Sequence, residues 1–332
     1  MEKTQDMKQR LEAYLKSKFP QRAGLSVAEL EWMSGGFSYE TYFFTATWEE
    51  AEGPVSESLV IRMQPELGCI PPYDIRPQYE VLKRVHGTGI PVPKVYWLET
   101  DSQVLGHPFF VMEKIEGGEL LYNAYWNQPE HQAQLTKEYT SVLAKLHGLD
   151  WQALGLSFLS VPENDRQCAE KEIAKWEWVV EDNQYSPQPV MAELFSWLKR
   201  NVPRAERTTL CHGDFHVRNL IAHDSQVVAT LDWEMVGIGD PVSDIGWVCL
   251  FIRWLGFWTE ADFIRSYEEI AGVKVNEESL FFWVVLAHVK LAAIALAGLK
   301  TSIESKTLDV RQIMDGNFSY MLQDLAAQML GF

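Results

Sequence analysis

The segment CHGDFHVRN at 211–219 and the later LDWE at 231–234 hold the residues of this chain that could do chemistry. Asn219 follows Asp214 after five residues, and Asp232 ends a short apolar run. A carboxylate such as Asp214 could orient a hydroxyl or accept its proton. The amide oxygen of Asn219 and the carboxylate of Asp232 are hard ligands that suit Mg²⁺. Phosphoryl transfer from a magnesium nucleotide requires this combination of groups.

Other interpretations of the same residues stay open at this point. Alone, Asp214 and Asn219 could simply make turn hydrogen bonds, but HGD before them and LDWE after them favour catalysis. His212 and His216 have an H-x3-H spacing that could bind zinc. Further along, Asp240 is expected to be the N-cap of a helix that starts at Pro241. Asp244, one turn later, could brace the loop that carries Asp214.

Composition limits the class of protein. The chain has 332 residues, 47% of them apolar, which is enough for two domains or one domain split into two lobes. Its net charge of −17 disfavours broad nucleic-acid binding, which needs a basic surface, and permits a cationic substrate. The four cysteines are scattered without a CxxC pair, and we expect a cytoplasmic protein. We interpret the apolar stretch 281–299 as a buried helix, because it contains His288 and Lys290.

The N-terminal third predicts strands around one helix. The apolar, β-branched and aromatic runs predict strands at Leu25–Met33, Tyr39–Trp48, Ser58–Met63, Lys94–Glu99 and Pro108–Ile115. A polar turn is expected at Glu49–Pro54. A helical pattern covers Ile75–His86. Between the first two strands, the glycines of Ser34–Ser38 would allow backbone N–H groups to approach phosphates closely. Gly35, Gly36 and Ser38 are therefore candidate nucleotide-binding residues.

After Gly118 helical patterns dominate, and the candidate catalytic residues lie on the one loop-and-strand unit among them, at 208–240. We predict helices at about 131–148, 166–183, 191–200, 241–254, 260–272, 278–300 and 308–330, and short strands at Leu220–Ala222 and Val227–Leu231. The fold class is therefore α+β, with two lobes: an antiparallel β-sheet lobe at 1–116 and a larger, mainly helical lobe at 117–332. The first would bind nucleotide, and the second would carry catalysis and the substrate.

Several motifs together resemble one family. HGDFHVRN, LDWE and GDPVSDIGW, with WMSGGFSYETY, PFFVMEKIEGG and LAKLHGLDW, look like the aminoglycoside phosphotransferase/choline kinase family, which has a protein-kinase-like fold. The chain most resembles the branch that includes the kinase domain fused to some acyl-CoA dehydrogenases. The resemblance implies that Asp214 is the catalytic base and that Asn219 and Asp232 bind magnesium. It also implies that His212 is structural.

The resemblance assigns nucleotide-binding roles in the first lobe. Arg62 occupies the position where the family normally has a strand lysine that contacts nucleotide phosphates, and its expected ion-pair partner is Glu80. Arginine keeps the charge but presents a planar fork, so this is a departure from the family pattern. Glu113 and Ile115 fall at the expected hinge, where backbone groups bind adenine.

The sequence therefore predicts a small-molecule kinase that uses ATP, with GTP as an alternative, and Mg²⁺ to phosphorylate a hydroxyl. Candidate acceptors are an aminoglycoside-like antibiotic, an amino alcohol, a sugar or a hydroxyacyl compound. The many tryptophans could form an aromatic cage for a quaternary ammonium or simply fill the core. No nucleic-acid or membrane partner is expected, and the oligomeric state stays open. The alternative is a non-catalytic nucleotide-binding module on a kinase scaffold; a protein kinase is disfavoured because HRD, DFG and APE segments are absent.

Overall fold

The computed structural model describes residues 2–33, 39–66, 68, 70, 73–304 and 310–332. The chain forms two compact units: Met1–Gly68, Pro72–Lys83 and Pro93–Glu116 make up the first, and Cys69–Pro71, Arg84–Val92 and Gly117–Phe332 the second. The main junction follows Glu116, where the lobes are predicted to divide. The segment Arg84–Val92, predicted in the first lobe, instead belongs to the second unit; within it, the Pro91 carbonyl accepts a hydrogen bond from Thr230.

The first unit is an antiparallel sheet with helices. Its elements are α1 (Glu2–Lys18), β1 (Ala23–Trp32), β2 (Glu40–Glu50), β3 (Gly53–Met63), α2 (Arg76–Val85), β4 (Val95–Glu99), α3 (Ser102–Leu105) and β5 (Phe109–Glu113). The strand order is β1-β2-β3-β5-β4. Alternating residues of β2 are buried, and Phe44 packs in one core with Ile61, Phe109 and Leu11 of α1.

The predicted polar turn at Glu49–Pro54 is too long. Strands β2 and β3 continue their pairing to Glu50 and Gly53, and only two residues remain for the turn. The polar side chains at this end of the hairpin are exposed, so their polarity says nothing against a backbone ladder.

The second unit is mainly helical. Its elements are β6 (Glu119–Leu120), α4 (Leu121–Asn127), α5 (Gln132–His147), α6 (Gln167–Asn183), α7 (Pro189–Arg200), β7 (Thr209–Cys211), β8 (Leu220–His223), β9 (Gln226–Thr230), β10 (Gly237–Gly239), α8 (Pro241–Leu255), α9 (Glu260–Ala271), α10 (Glu277–Glu304) and α11 (Val310–Met329). The predicted helices are present to within a few residues. The short elements α4, β6 and β10 were not predicted, because two to seven residues give no clear periodicity.

Helix α10 is the buried centre of this unit. It has the length and hydropathy of a membrane span, but 78% of its most apolar window is buried within the protein. It packs against α6, α8 and α11, and His288 and Lys290 are buried among apolar neighbours. This confirms the predicted interpretation of 281–299 as a core helix.

The contact between α8 and α10 depends on Gly246. A Cβ atom at this position would lie 2.8 Å from the backbone carbon of Trp283 on α10. We therefore expect Gly246→Ala to lower Tm, although alanine has a helix propensity about 1 kcal/mol better than glycine. Thermal unfolding followed by circular dichroism would test this, and an unchanged or raised Tm would show that α10 moves away without cost.

Candidate functional site

Two antiparallel strand pairs bring the three predicted residues together. Strand β7 pairs with β10, and the loop after β7 carries Asp214 and Asn219 before β8 begins. Strands β8 and β9 form a hairpin, so that the chain returns to the loop, where the Leu231 N–H donates to the Asn219 carbonyl at 2.7 Å. Asp232 is the next residue, and its charge acts on the Asp214 carboxylate.

Both oxygens of the Asp214 carboxylate accept hydrogen bonds. The indole N–H of Trp247 donates to Oδ1 at 2.8 Å, and Asn219 Nδ2 donates to Oδ2 at 2.7 Å. Asn219 Nδ2 also donates to the Asp214 carbonyl at 3.0 Å. Because the amide nitrogen is committed to Asp214, the amide oxygen of Asn219 is the atom left to bind a cation. The carboxylate is therefore held in one orientation before any substrate binds.

The charges that act on Asp214 come chiefly from Asp232, which is half-buried, and from Lys290, which is buried. Burial raises the pKa of the Asp214 carboxyl to about 7, and the negative charge of Asp232 adds to this rise, whereas Lys290, Trp247 and Asn219 oppose it. Lys290, from the middle of α10, donates to the Gly213 carbonyl and lies 4.1 Å from the centroid of the Trp247 ring. Burial lowers the pKa of the Lys290 ammonium. A cation bound by Asn219 and Asp232 would offset the repulsion between the two carboxylates.

The loop that carries Asp214 is braced by Asp244, as one interpretation of the sequence predicts. Its Oδ2 accepts from the His212 amide at 2.7 Å, and its Oδ1 from the Gly213 amide at 2.8 Å. His147 Nε2 lies 3.1 Å from Oδ2, and His147 Nδ1 lies 2.8 Å from the Tyr267 hydroxyl. Burial works to raise the pKa of Asp244, but these hydrogen bonds, His147 first, hold it below its ordinary value.

Glycine is required at 213, directly before Asp214. Its φ of +81° is a left-handed conformation, and a Cβ atom would lie 2.3 Å from the Met235 carbonyl oxygen.

Asp240 caps α8 by accepting a hydrogen bond from the Val242 amide at 2.9 Å, which confirms the predicted N-cap.

The two histidines of the H-x3-H pattern make different contacts. His212 Nε2 lies 3.0 Å from the Leu231 carbonyl, and its Nδ1 accepts from the Asp214 amide at 3.1 Å, so it links the two parts of the site. His216 stacks on Phe251 with ring centroids 4.2 Å apart. Burial lowers the pKa of His212 to about 4 and that of His216 to about 3, so both rings are neutral. These contacts occupy His212 structurally and do not favour a zinc site.

Another group of potential ligands lies just beneath the loop. Side-chain atoms of His147, Cys211 and Asp244 come within 4.8 Å of one another. Asp244 and His147 are already engaged as described, and Cys211 Sγ donates to the Asp240 carbonyl. Burial also raises the pKa of the Cys211 thiol well above its ordinary value. These residues are therefore better explained as the support of the loop.

Asp232 adopts a left-handed backbone conformation, with φ +64° and ψ +60°. Aspartate and asparagine tolerate this region better than other non-glycine residues, because their short polar side chains bond locally. A short 3₁₀ helix, Trp233–Met235, begins directly after it and turns the chain toward β10. The conformation restricts which substitutions can test the role of this carboxylate.

The predicted nucleotide residues of the first unit are only partly described. Gly35, Gly36 and Ser38 lie outside the described residues. Arg62, on β3, donates to Thr41 Oγ1 at 3.1 Å, and its guanidinium lies 5.4 Å from the centre of the Tyr39 ring. Glu80 is on α2, and its ion pair with Arg62 stays a prediction. Glu113 ends β5 and accepts from the Lys94 amide, and Ile115 follows two residues later.

Sequence reasoning missed four residues that support the site. Trp247 is one of the many tryptophans that the sequence leaves as either an aromatic cage or core, and Lys290 enters only as an argument against a membrane helix. His147 and Tyr267 were not singled out for chemistry. A signal existed for Trp247, because Asp240, Asp244 and Trp247 recur at the spacing of one helix face. The described cysteines, Cys168, Cys211 and Cys249, are free and buried.

Comparisons with known proteins agree with this geometry. A family model described as "Phosphotransferase enzyme family" matches residues 30–280. Acyl-CoA dehydrogenase family member 10 of Mus musculus is 27% identical over 291 residues, which cover 81% of this chain and 27% of that protein. Acyl-CoA dehydrogenase family member 11 of Rattus norvegicus is 27% identical over 311 residues, which cover 86% of this chain and 38% of that protein. The chain thus spans well under half the length of both relatives.

Solved structures share the fold. A candidate aminoglycoside phosphotransferase from Ralstonia eutropha JMP134 superposes with a TM-score of 0.75 at 23% identity, over 97% of each chain. A thermostable mutant of aminoglycoside phosphotransferase APH(4)-Ia, in a ternary complex with AMP-PNP and hygromycin B, gives 0.65 at 15% identity, over 96% of this chain and 98% of that one. At these identities the likeness shows the fold.

Asp244→Asn tests the brace. The variant replaces one accepting oxygen by an NH₂ group, which leaves a buried amide unsatisfied at a cost of about 1–3 kcal/mol. We expect a Tm several degrees lower at pH 7, whereas Asp224→Asn, at an exposed turn, should change little. Because the pKa of Asp244 is lowered on folding, its stabilisation is lost as pH falls, and the Tm gap should narrow below about pH 3.8. An equal Tm at pH 7 would contradict the brace.

Proposed function

Because this chain belongs to the phosphotransferase enzyme family and is a small-molecule kinase by class, we propose that it transfers the γ-phosphoryl group of ATP to a hydroxyl. GTP is the alternative donor. The observation that carries the proposal is the doubly hydrogen-bonded Asp214 carboxylate, held within one loop beside Asn219 and Asp232. A binding module would not need a carboxylate fixed in this way.

Asp214 orients the acceptor hydroxyl and takes its proton as the new oxygen–phosphorus bond forms and the bond to the departing nucleoside diphosphate breaks. Trp247 and Asn219 keep the carboxylate in position for this. Asn219, through its amide oxygen, and Asp232 would hold Mg²⁺, which when bound neutralises charge on the phosphates. Arg62, expected to be braced by Glu80, would contact the phosphates with Gly35, Gly36 and Ser38. Backbone groups near Glu113 and Ile115 would bind the base.

The acceptor class is indicated by an aromatic wall that begins at Asp214. His216 Nε2 lies 3.5 Å from Asp214 Oδ1, and its ring stacks on Phe251. Phe251 contacts Trp254 edge-on at 6.0 Å, and Trp254 packs on Phe318 at 4.3 Å. Trp254 is 39% exposed. A wall of this kind suits an alcohol with an apolar body, such as a hydroxyacyl compound, better than a polyamine sugar, which needs carboxylates around it.

Separate substitutions test nucleotide binding and chemistry. We expect ATP with magnesium to raise Tm, because a ligand at 100 times its Kd adds about 2.7 kcal/mol to the free energy of unfolding. Asp232→Asn keeps a residue that tolerates the left-handed backbone, and it should remove the magnesium-dependent part of this shift. Asp214→Asn should keep the shift but lower phosphoryl transfer at least about 100-fold. Absence of any nucleotide shift in the wild type would reject the kinase, and binding without turnover of any acceptor would favour the non-catalytic module.

An acceptor screen with labelled ATP tests the aromatic wall. We expect a medium-chain hydroxy acid or an aryl alcohol to be phosphorylated faster than choline, glucose or an aminoglycoside. Trp254→Ala should raise the acceptor KM about tenfold and leave the nucleotide KM unchanged. Trp178→Ala is the matched control, because Trp178 is similarly exposed, at 46%, on the distant helix α6. Preference for an aminoglycoside, or equal effects of both variants, would refute this acceptor class.

A further inference from the structure

The second unit contains a cavity that the phosphotransfer site does not use. It has a volume of about 560 Å³ and lies among the C-terminal end of α7, the segment 201–207, the start of α8, the end of α9 and the start of α10. This volume is within the range of about 300–1,000 Å³ that is typical of small-molecule sites. Of the described residues, those that line it include neither Asp214, Asn219 nor Asp232.

The cavity is basic in a chain whose net charge is −17. Five cationic side chains line it against three carboxylates; the cations are Arg166, Arg200, Arg204, Arg207 and Lys274, and the carboxylates are Glu206, Asp240 and Glu278. An excess of arginine in such an acidic protein is not explained by composition. Guanidinium groups match the planar, two-oxygen edge of a carboxylate or phosphate.

Two of the arginines lack an acidic partner. Arg204 pairs with Asp165, Arg166 with Glu170, and Lys274 with Glu268. Within the described part of the chain, neither Arg200 nor Arg207 has a carboxylate within 4.0 Å: Arg200 donates to Ser196 Oγ at 2.9 Å and Arg207 to the Tyr267 hydroxyl at 3.5 Å. Their charges are available to a ligand.

Of the three carboxylates in the lining, the buried one, Asp240, is already hydrogen-bonded. Asp240 is 2% exposed, and its oxygens accept from the Val242 amide at 2.9 Å and the Trp283 indole at 3.0 Å. Glu206 and Glu278 are exposed to solvent. The buried negative charge of Asp240 is thus already matched by hydrogen-bond donors.

Ser279 also lines the cavity, but its Oγ is enclosed by protein and exposes almost no surface to a ligand. Apolar side chains complete the lining, among them Val202, Val242, Ile245 and Val273. The site therefore offers cations and an apolar surface together.

We infer that this cavity is a second ligand site, which binds a small organic anion with a phosphate or carboxylate group on an apolar body. Arg200 and Arg207 would hold the anionic group, and the valines would contact the body. The site is separate from the catalytic loop. Its wall nevertheless includes Tyr267, whose hydroxyl is hydrogen-bonded to His147 behind that loop.

Phenyl phosphate and benzoate are suitable probes, with benzamide as the uncharged control that carries no hydroxyl. Binding is measured by ligand-observed NMR titration of the full chain, with AMP-PNP and magnesium present to fill the nucleotide site. Arg200→Gln and Arg207→Gln each remove one proposed anion contact. Lys199→Gln is the matched control, because Lys199 is the neighbouring cation on α7, pairs with Glu177 and does not line the cavity. Circular dichroism establishes that each variant is folded.

We expect saturable binding of at least one anion, no binding of benzamide, and a loss of affinity of about tenfold in Arg200→Gln and Arg207→Gln. Lys199→Gln should bind as the wild type does. The inference is overturned by the absence of saturable binding to the wild type, by binding that is seen only when AMP-PNP is left out, by equal affinities in all variants, or by an equal loss in Lys199→Gln.

Discussion

The site depends on the hydrogen bonds that the buried carboxylate of Asp244 accepts. A buried charge is costly unless hydrogen bonds replace its water, and here the amides of His212 and Gly213 and the ring of His147 do so. The constraint works in both directions, because the same bonds fix the loop that carries Asp214. From the other side, Lys290 donates to the Gly213 carbonyl. The N–H group of Gly213 is thus bound to a negative charge from α8, and its carbonyl is bound to a positive charge from α10.

This arrangement leaves the charge balance of the site incomplete. Asp214 and Asp232 interact unfavourably, and Lys290 offsets only part of their charge because it is one cation against two carboxylates. A site with two close carboxylates and an amide oxygen favours a divalent cation. The stability of the loop therefore comes from Asp244, whereas the remaining negative charge is the part that can bind metal and substrate.

Sequence reasoning could predict the residues that share a local segment. Asp214, Asn219 and Asp232 lie on one loop and one hairpin, so their spacing predicted their proximity, and the cap at Asp240 followed from local helix chemistry. It could not predict Trp247 or Lys290 as partners of the loop, since their positions depend on how α8 and α10 pack. The division at Glu116 coincided with a glycine pair, but Arg84–Val92 joins the second unit through tertiary contacts that no local pattern shows.

One face of α8 explains how these long-range contacts are kept in register. Residues 240, 244, 247 and 251 recur at helical spacing, and in order they contact Cys211, the amides of 212 and 213, the carboxylate of 214 and the ring of 216. Each turn of the helix thus meets the next part of the loop. The N-terminal members of this face bind the backbone of the loop, whereas the C-terminal members end in the aromatic wall. If the proposed acceptor binds at that wall, changes near 251–254 should alter acceptor choice and retain the loop geometry set at 240–247.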